Sequence, residues 1–300
     1  MKILDLSPRS GGSTCALSQI GDYDVLSVES NMLYTDTLEA NNKSTVDTAN
    51  PREFKSEVSW DLVVAHMTRS LEHPIESVLR DVRPKAMILE TKASNNKELT
   101  ETLDHIRMVM RNLGYIVSTI GGDARKFGVA LDCKWTFIMA VAPPIKVHFP
   151  FSTTAPIVLR DVWKDVPESF GEEFDPNLKF WYSFISEGGK MRDLPHDIKQ
   201  DFLKRSGVKP YLTFLLNRLS YSKHVENLSY NPIHYQSSLC HPTELRPPTI
   251  REYARIMGFP DTWVFQGVLT QQYKMIAQAS PPPLLQRFYE PVIRAIERLP

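Results

Sequence analysis

Several side chains able to hold charge or move protons stand directly after short apolar runs. His66 and Arg69 follow the run 60–65, Glu90 ends the run 86–90, and Cys133 precedes the run 135–142. Histidine and glutamate could act as acid and base, arginine could supply a fixed charge, and cysteine could act as a nucleophile. Asp5 closes another run, 2–6, and Gly11-Gly12 follow it, where backbone freedom allows close approach to a ligand. Each has an ordinary alternative. Acids at strand ends are common, Glu90 could simply end a strand, and a lone cysteine on a strand is more often a small core residue.

The elements that must position these groups alternate. Runs 2–6, 24–29, 60–65, 86–90, 115–120 and 135–142 read as strands, and the continuous apolar runs 60–65 and 86–90 suit strands buried on both faces. Segments 13–20 and 75–82 read as helices. So does 99–113, where Leu99, Leu103, Ile106, Val109, Met110 and Leu113 form one stripe. Such alternation predicts an α/β fold with a doubly wound sheet. From Pro143-Pro144 onward the periodicity weakens, as in an irregular second domain with short strands. Residues 273–279 lead into Ser280-Pro-Pro-Pro283, and 284–299 reads as a closing helix.

Composition narrows the function classes. Lys+Arg and Asp+Glu both number 35 in the 300 residues. A dedicated nonspecific nucleic-acid binder usually carries a basic excess, because phosphate neutralisation supplies most of its affinity. The stretch 146–246 holds 13 Lys+Arg against 12 Asp+Glu, so it too is near neutral. Cys15, Cys133 and Cys240 are sparse, match no zinc spacing and suggest reduced thiols in the cytoplasm. The start, Met1-Lys-Ile-Leu-Asp5, opens into a strand-like run, so no signal peptide is expected, nor is a membrane span.

The stretch Arg246-Pro-Pro-Thr-Ile-Arg251-Glu252-Tyr-Ala-Arg255-Ile-Met-Gly258-Phe259-Pro260-Asp261 closely resembles a conserved structural block of DNA cytosine-5 methyltransferases. Phe149-Pro150-Phe151, Leu159-Arg160-Asp161-Val162, Ser186–Pro195 and Cys240-His241-Pro242 extend the resemblance over almost the whole chain. It implies a Rossmann-like S-adenosylmethionine-dependent methyltransferase fold with a smaller irregular target-recognition domain. The implied division is 1–145 as the large domain, 146–265 as the recognition-like domain with its hinge, and 266–300 returning to the large domain. The segment 186–195 is of a kind common in bacterial and phage members, which implies a phage or prokaryotic source.

The same resemblance locates the positions that carry chemistry in the family, and most are substituted. The cofactor loop reads Asp5-Leu6-Ser7-Pro8-Arg9-Ser10-Gly11-Gly12, with Ser7 for the stacking aromatic and Arg9 for the first glycine. Glu29 takes the place of the ribose-binding acid and Asp47 that of an adenine contact. Arg69 stands where the family has its nucleophilic cysteine and Thr68 where it has proline; an arginine stays protonated and is no nucleophile. Glu90 survives from its block, Leu131, Cys133 and Trp135 replace a glutamine and two arginines, and Ala277-Gln278 replace a Gly-Asn pair. The pattern implies a pseudo-methyltransferase: scaffold kept, methyl transfer lost, with Arg69, Glu90 and Cys133 as a vestigial site. Cofactor contacts, if S-adenosylmethionine is bound, would be Asp5, Gly11, Gly12, Glu29 and Asp47. The expected partners are duplex DNA, contacted through Arg192, Lys204, Arg205, Arg218 and Lys223 unless these form only a solvated face, or an active methyltransferase or other protein. An enzyme with altered base or nucleotide chemistry on the same scaffold is the alternative.

Overall fold

The computed structural model describes residues 1–67, 71–93, 96–149, 155–174, 176–206, 216–226, 230–231, 236–237 and 239–299. Its centre is a seven-stranded sheet of β1 (Lys2–Leu6), β2 (Asp24–Val28), β3 (Thr45–Asp47), β4 (Leu62–His66), β5 (Ala86–Lys92), β6 (Ile116–Asp123) and β7 (Lys134–Val141). The spatial order is β3-β2-β1-β4-β5-β7-β6. β1 to β5 pair in parallel, and β7 runs antiparallel to both of its neighbours.

Alternate residues of the strands feed two cores. Ile3, Val64 and Ile88 face one side with α1 (Gly12–Ile20) and α10 (Pro282–Glu297), while Leu4, Val63 and Met87 face the other with α3 (Glu72–Asp81) and α4 (Lys97–Asn112). Burial on both faces is why the central strands are continuously apolar: every residue of β4 is buried. α10 buries Leu284, Leu285, Phe288, Tyr289, Val292, Ile293 and Ile296, a helical stripe wide enough to cover the sheet.

The doubly wound arrangement matches the sequence expectation, with three differences. α2 (Met32–Asn41) and β3 carry no clear apolar periodicity; Met32 is 78% exposed, and β3 is a three-residue edge strand. The reversed direction of β7 was also not readable. It follows from the short connection through the 3-10 turn Ala124–Phe127, which is too brief for the crossover a parallel partner needs.

The rest of the chain adds α5 (Leu159–Val162), α6 (Pro176–Tyr182), α7 (His196–Ser206), and the short strand pairs β8 (Asn217–Arg218) with β11 (Leu239–Cys240) and β9 (Tyr230–Asn231) with β10 (Gln236–Ser237). A separate small core forms here from Phe174, Trp181, Tyr182, Ile185, Met191, Phe202 and Cys240. α8 (Ile250–Ile256) and α9 (Leu269–Gln278) instead place Tyr253, Ala254, Tyr273 and Ile276 in the core of the large sheet. Among the described residues no helix is long and apolar enough to cross a membrane.

Candidate functional site

Strand order reverses between β1 and β4, and the crevice beyond the carboxyl ends of such strands is where open α/β sheets place ligands. Asp5 lies near the end of β1, Glu29 directly after β2, Asp47 at the end of β3, and His66 opposite Glu90 at the ends of β4 and β5. The parallel register therefore gathers the acids and the histidine on one edge, although they are far apart in sequence.

The loop after β1 keeps a glycine-like path without the glycine. Ser7 and Arg9 hold φ of 59° and 55°, the left-handed region that side chains normally avoid. The Arg9 amide donates to Glu29 Oε2 at 3.2 Å, and the Asn31 amide donates to Glu29 Oε1 at 3.0 Å. Both oxygens of this buried carboxylate are thus engaged by backbone; burial raises its pKa against those hydrogen bonds. The Arg9 guanidinium crosses the crevice and donates to the Gln278 carbonyl at 3.2 Å, while Tyr34 donates to the Gln278 side chain at 3.0 Å. Asp47 uses its carbonyl to accept from the Glu29 amide at 3.0 Å and its Oδ1 to accept from Ala49 at 2.9 Å.

Gly11 and Gly12 are required for close approach. A Cβ on Gly11, at φ 85°, would lie 2.4 Å from the Trp263 ring, and one on Gly12 would lie 2.1 Å from the Ser280 carbonyl oxygen. Asp5 is fully buried under this loop and accepts from Ser13 Oγ at 2.8 Å and Thr14 Oγ1 at 2.9 Å. Burial outweighs those bonds and pushes its carboxyl up to about 7.

Beside the loop lies a buried polar cluster. His66 Nδ1 is 3.1 Å from Ser280 Oγ and 3.6 Å from Glu90 Oε1, and Tyr289 donates to Glu90 Oε2 at 3.3 Å. Glu90 is 1% exposed, and its Oε1 has no hydrogen-bond partner. Burial depresses the His66 pKa, partly offset by Glu90, and Arg9 adds to the depression. Arg69 and Thr68 lie outside the described residues. Cys133 is 4% exposed within the large core, and burial pushes its thiol up to about 11, the environment of an inert structural cysteine. Cys15 and Cys240 are likewise buried with thiols pushed up to about 12. Gln278 was marked from sequence only as a replacement for a Gly-Asn pair; Tyr34, Ser280 and Tyr289 were given no role there. Pro281-Pro282 located a turn there, but nothing local indicated that these side chains point back at the strand ends.

The block at 246–261 is a brace whose charges find partners. Thr249 and Glu252 form a reciprocal capping box at the start of α8. Arg246 grips Glu252 with two bonds of 2.7 and 3.0 Å. Arg255 grips Asp261 at 2.8 and 2.6 Å, and Arg251 donates to the carbonyls of Pro260 and Trp263 at 3.0 Å each. Gly258 turns the chain at φ 83°, pressed against Pro283. His241 stacks on Trp163, whose indole N–H donates to the Glu252 carbonyl at 2.8 Å.

The candidate DNA contacts fall on a groove and on α7, whose Lys199 Nζ donates to the Arg192 carbonyl at 2.9 Å. Arg192, Arg218 and Lys223 line one groove of about 260 Å³. Arg218 is engaged inside it, donating to the carbonyls of Pro242 and Ile185 at 2.9 Å each, so it holds the small core together. Lys204 and Arg205 are exposed on α7, and Arg205 pairs with Asp201 at 2.7 Å.

Comparison with known proteins supplies the family context. A family model described as C-5 cytosine-specific DNA methylase matches residues 63–294. Type II methyltransferase M.Eco47II of Escherichia coli is 31% identical over 237 residues, covering 73% of this chain and 56% of that protein. Type II methyltransferase M.PspPI of a Psychrobacter species is 30% identical over 239 residues, covering 74% of this chain and 57% of its own length. The match therefore spans little more than half the length of these curated relatives. The solved S. pombe Dnmt2 methyltransferase superposes with a TM-score of 0.70 at 15% identity, covering 98% of each chain, which is a likeness of fold.

Proposed function

We propose that this chain, which belongs to the C-5 cytosine-specific DNA methylase family, acts by binding and does not transfer a methyl group. The observation that carries this reading is Arg9. It holds the loop at a glycine-like φ of 55° while its guanidinium crosses the strand-end crevice to Gln278. The residues present do not fit S-adenosylmethionine: Ser7 offers no stacking face, and Arg9 puts a bulky cation in the loop where the family has glycine, its amide bonded to Glu29. Arg69, in place of the family's nucleophilic cysteine, points the same way. On this reading Arg69, Glu90 and Cys133 are a vestigial site. Asp5, Gly11, Gly12, Glu29 and Asp47 serve the fold of the loop.

The binding role is that of a DNA-binding module or a regulatory partner of an active methyltransferase, within a 1–145, 146–265 and 266–300 division and in the cytoplasm of a prokaryotic or phage-infected cell. Arg192 and Lys223 are the groove cations offered to phosphate. The test incubates the protein with duplex DNA and S-adenosylmethionine and digests the DNA for mass spectrometry, with calorimetry of the cofactor alone alongside. No modified base and no cofactor heat are expected. A methylated cytosine that depends on this protein would sink the proposal. Anisotropy with duplex DNA at low salt, where phosphate contacts are strongest, separates the two binding roles.

A second reading, an enzyme with altered chemistry on a DNA base or nucleotide, is favoured by one observation. A buried His66 kept neutral stands 3.6 Å from a Glu90 oxygen that has no hydrogen bond, a pair able to accept and hold a proton. A base product other than 5-methylcytosine in the same mass spectra would select it.

A further inference from the structure

A second concave region lies at the opposite edge of the sheet from the strand-end crevice. Its volume is about 340 Å³, and its lining includes Lys146, His148, Arg287, Arg294 and Arg298, against the single carboxylate of Glu290. β7 fixes its place. Val141 pairs with Ala86 and Ile116, the first residues of β5 and β6, and the next amide, Ala142, donates to Lys85 at 2.8 Å. Lys146 and His148 follow that end of β7. α10 starts beside Ser280 and runs away from it, so Arg294 and Arg298 sit at its far end, near the Tyr23–Glu297 hydrogen bond.

The charge is concentrated here in a chain whose formal net charge is zero. Arg287, Arg294 and Arg298 recur at helical spacing and share one face of α10, with Pro291 and Ala295 between them leaving room for the cavity. Arg294 is held by Glu290 at 3.7 Å and Glu297 at 3.1 Å. Lys146, Arg287 and Arg298 are exposed and have no carboxylate partner among the described residues. Arg294 and Arg298 are like charges one helical turn apart, and a concave wall focuses the field of the basic lining outward. An anion supplies the counter-charge that Lys146, Arg287 and Arg298 lack. The arginines extend about 16 Å along the helix at 1.5 Å per residue, more than a single phosphate group can reach.

We propose that this cavity binds a small anion carrying two or more phosphate groups, held by Arg287, Arg298 and Lys146. The site is independent of the strand-end crevice and of any methyl transfer. Its concave form suits a linear polyphosphate or the phosphate tail of a nucleotide better than the convex backbone of a duplex.

Calorimetric titration of the full chain with inorganic triphosphate tests it. Saturable binding is expected at low salt, weakening when salt shortens the screening length. Affinity should fall at least tenfold in R287Q/R298Q and several-fold in K146Q, and stay unchanged in K274Q, an exposed lysine on α9. K146Q changes a residue outside any helix, so it carries the test if the double variant fails to fold. A nucleoside triphosphate competing with triphosphate would identify a nucleotide as the source; inorganic polyphosphate alone competing would identify the free anion. No saturable binding at low salt, equal affinity in wild type and both variants, or binding of duplex DNA without triphosphate would each overturn the proposal.

Discussion

The brace at 246–261 and the crevice at the strand ends are both rich in charge, yet they handle it in opposite ways. In the brace, Arg246 with Glu252 and Arg255 with Asp261 are two-pronged pairs between residues six apart in sequence. In the crevice, Asp5 and Glu90 are buried without a cation, and the bonds that organise it span 269 residues from Arg9 to Gln278, 214 from His66 to Ser280 and 199 from Glu90 to Tyr289. Paired charges hold a scaffold. Buried unpaired ones cost stability and persist where a site once needed them or still does.

The largest effect that sharpens this contrast should come from pH. The folded Asp5 carboxyl sits at about 7 against an ordinary 3.8, so the folded state binds the proton more tightly. Its stabilising contribution is complete below pH 3.8 and is lost as pH rises towards 7, a span on the order of 4 kcal/mol. His66 works the other way, since its depressed pKa makes stability fall as pH drops below 6.5. Asp5→Asn isolates the first effect: in chemical denaturation across pH 4 to 7 the fall in stability towards pH 7 should be lost, leaving the rise with pH that His66 contributes. An unchanged profile would mean that Asp5 is ionised when folded.

Breaking the brace comes next. Glu252→Ala removes both Glu252 bonds to Arg246, leaving it only the Glu244 carboxylate, and removes the α8 capping box, so unfolding free energy should fall by about 2 kcal/mol in denaturant titration. Gly12→Ala forces a Cβ against the Ser280 carbonyl and should cost about 2 kcal/mol by the same measurement. Cys133→Ala should cost about 1 kcal/mol and change no DNA product, because the thiol is packed in the core. Arg9→Gly should leave stability within about 1 kcal/mol, as relief of the left-handed strain is offset by glycine's extra freedom when unfolded. Its readout is calorimetry with S-adenosylmethionine, where heat absent from wild type and present in the variant would identify Arg9 as the barrier. Heat in both would break the comparison.

Most of the scaffold was legible because its determinants are local. The continuous apolar runs gave the central strands, and the stripe from Leu99 to Leu113 gave α4. α2 and β3 escaped because one is a weakly patterned surface helix and the other a short edge strand. The candidate site was legible by position, through Asp5, Glu29, Asp47, His66 and Glu90. Of the basic residues in the recognition-like region, Arg218 is held by two carbonyls inside a groove, a tertiary role that its residue type did not reveal.

The sequence by itself determined the alternation of strands and helices, the turns at Gly11-Gly12 and Pro281-Pro282, and the absence of a cysteine at position 69, since each is written in residue type and short spacing. Only the tertiary structure decided that β7 runs antiparallel, that Arg9 reaches Gln278, that Ser280 and Tyr289 close over His66 and Glu90, and that Lys146 joins the arginines of α10. Those contacts join residues far apart in the chain. Their partners are selected by which strand ends and helix faces the packed cores bring together, and no local pattern encodes that selection.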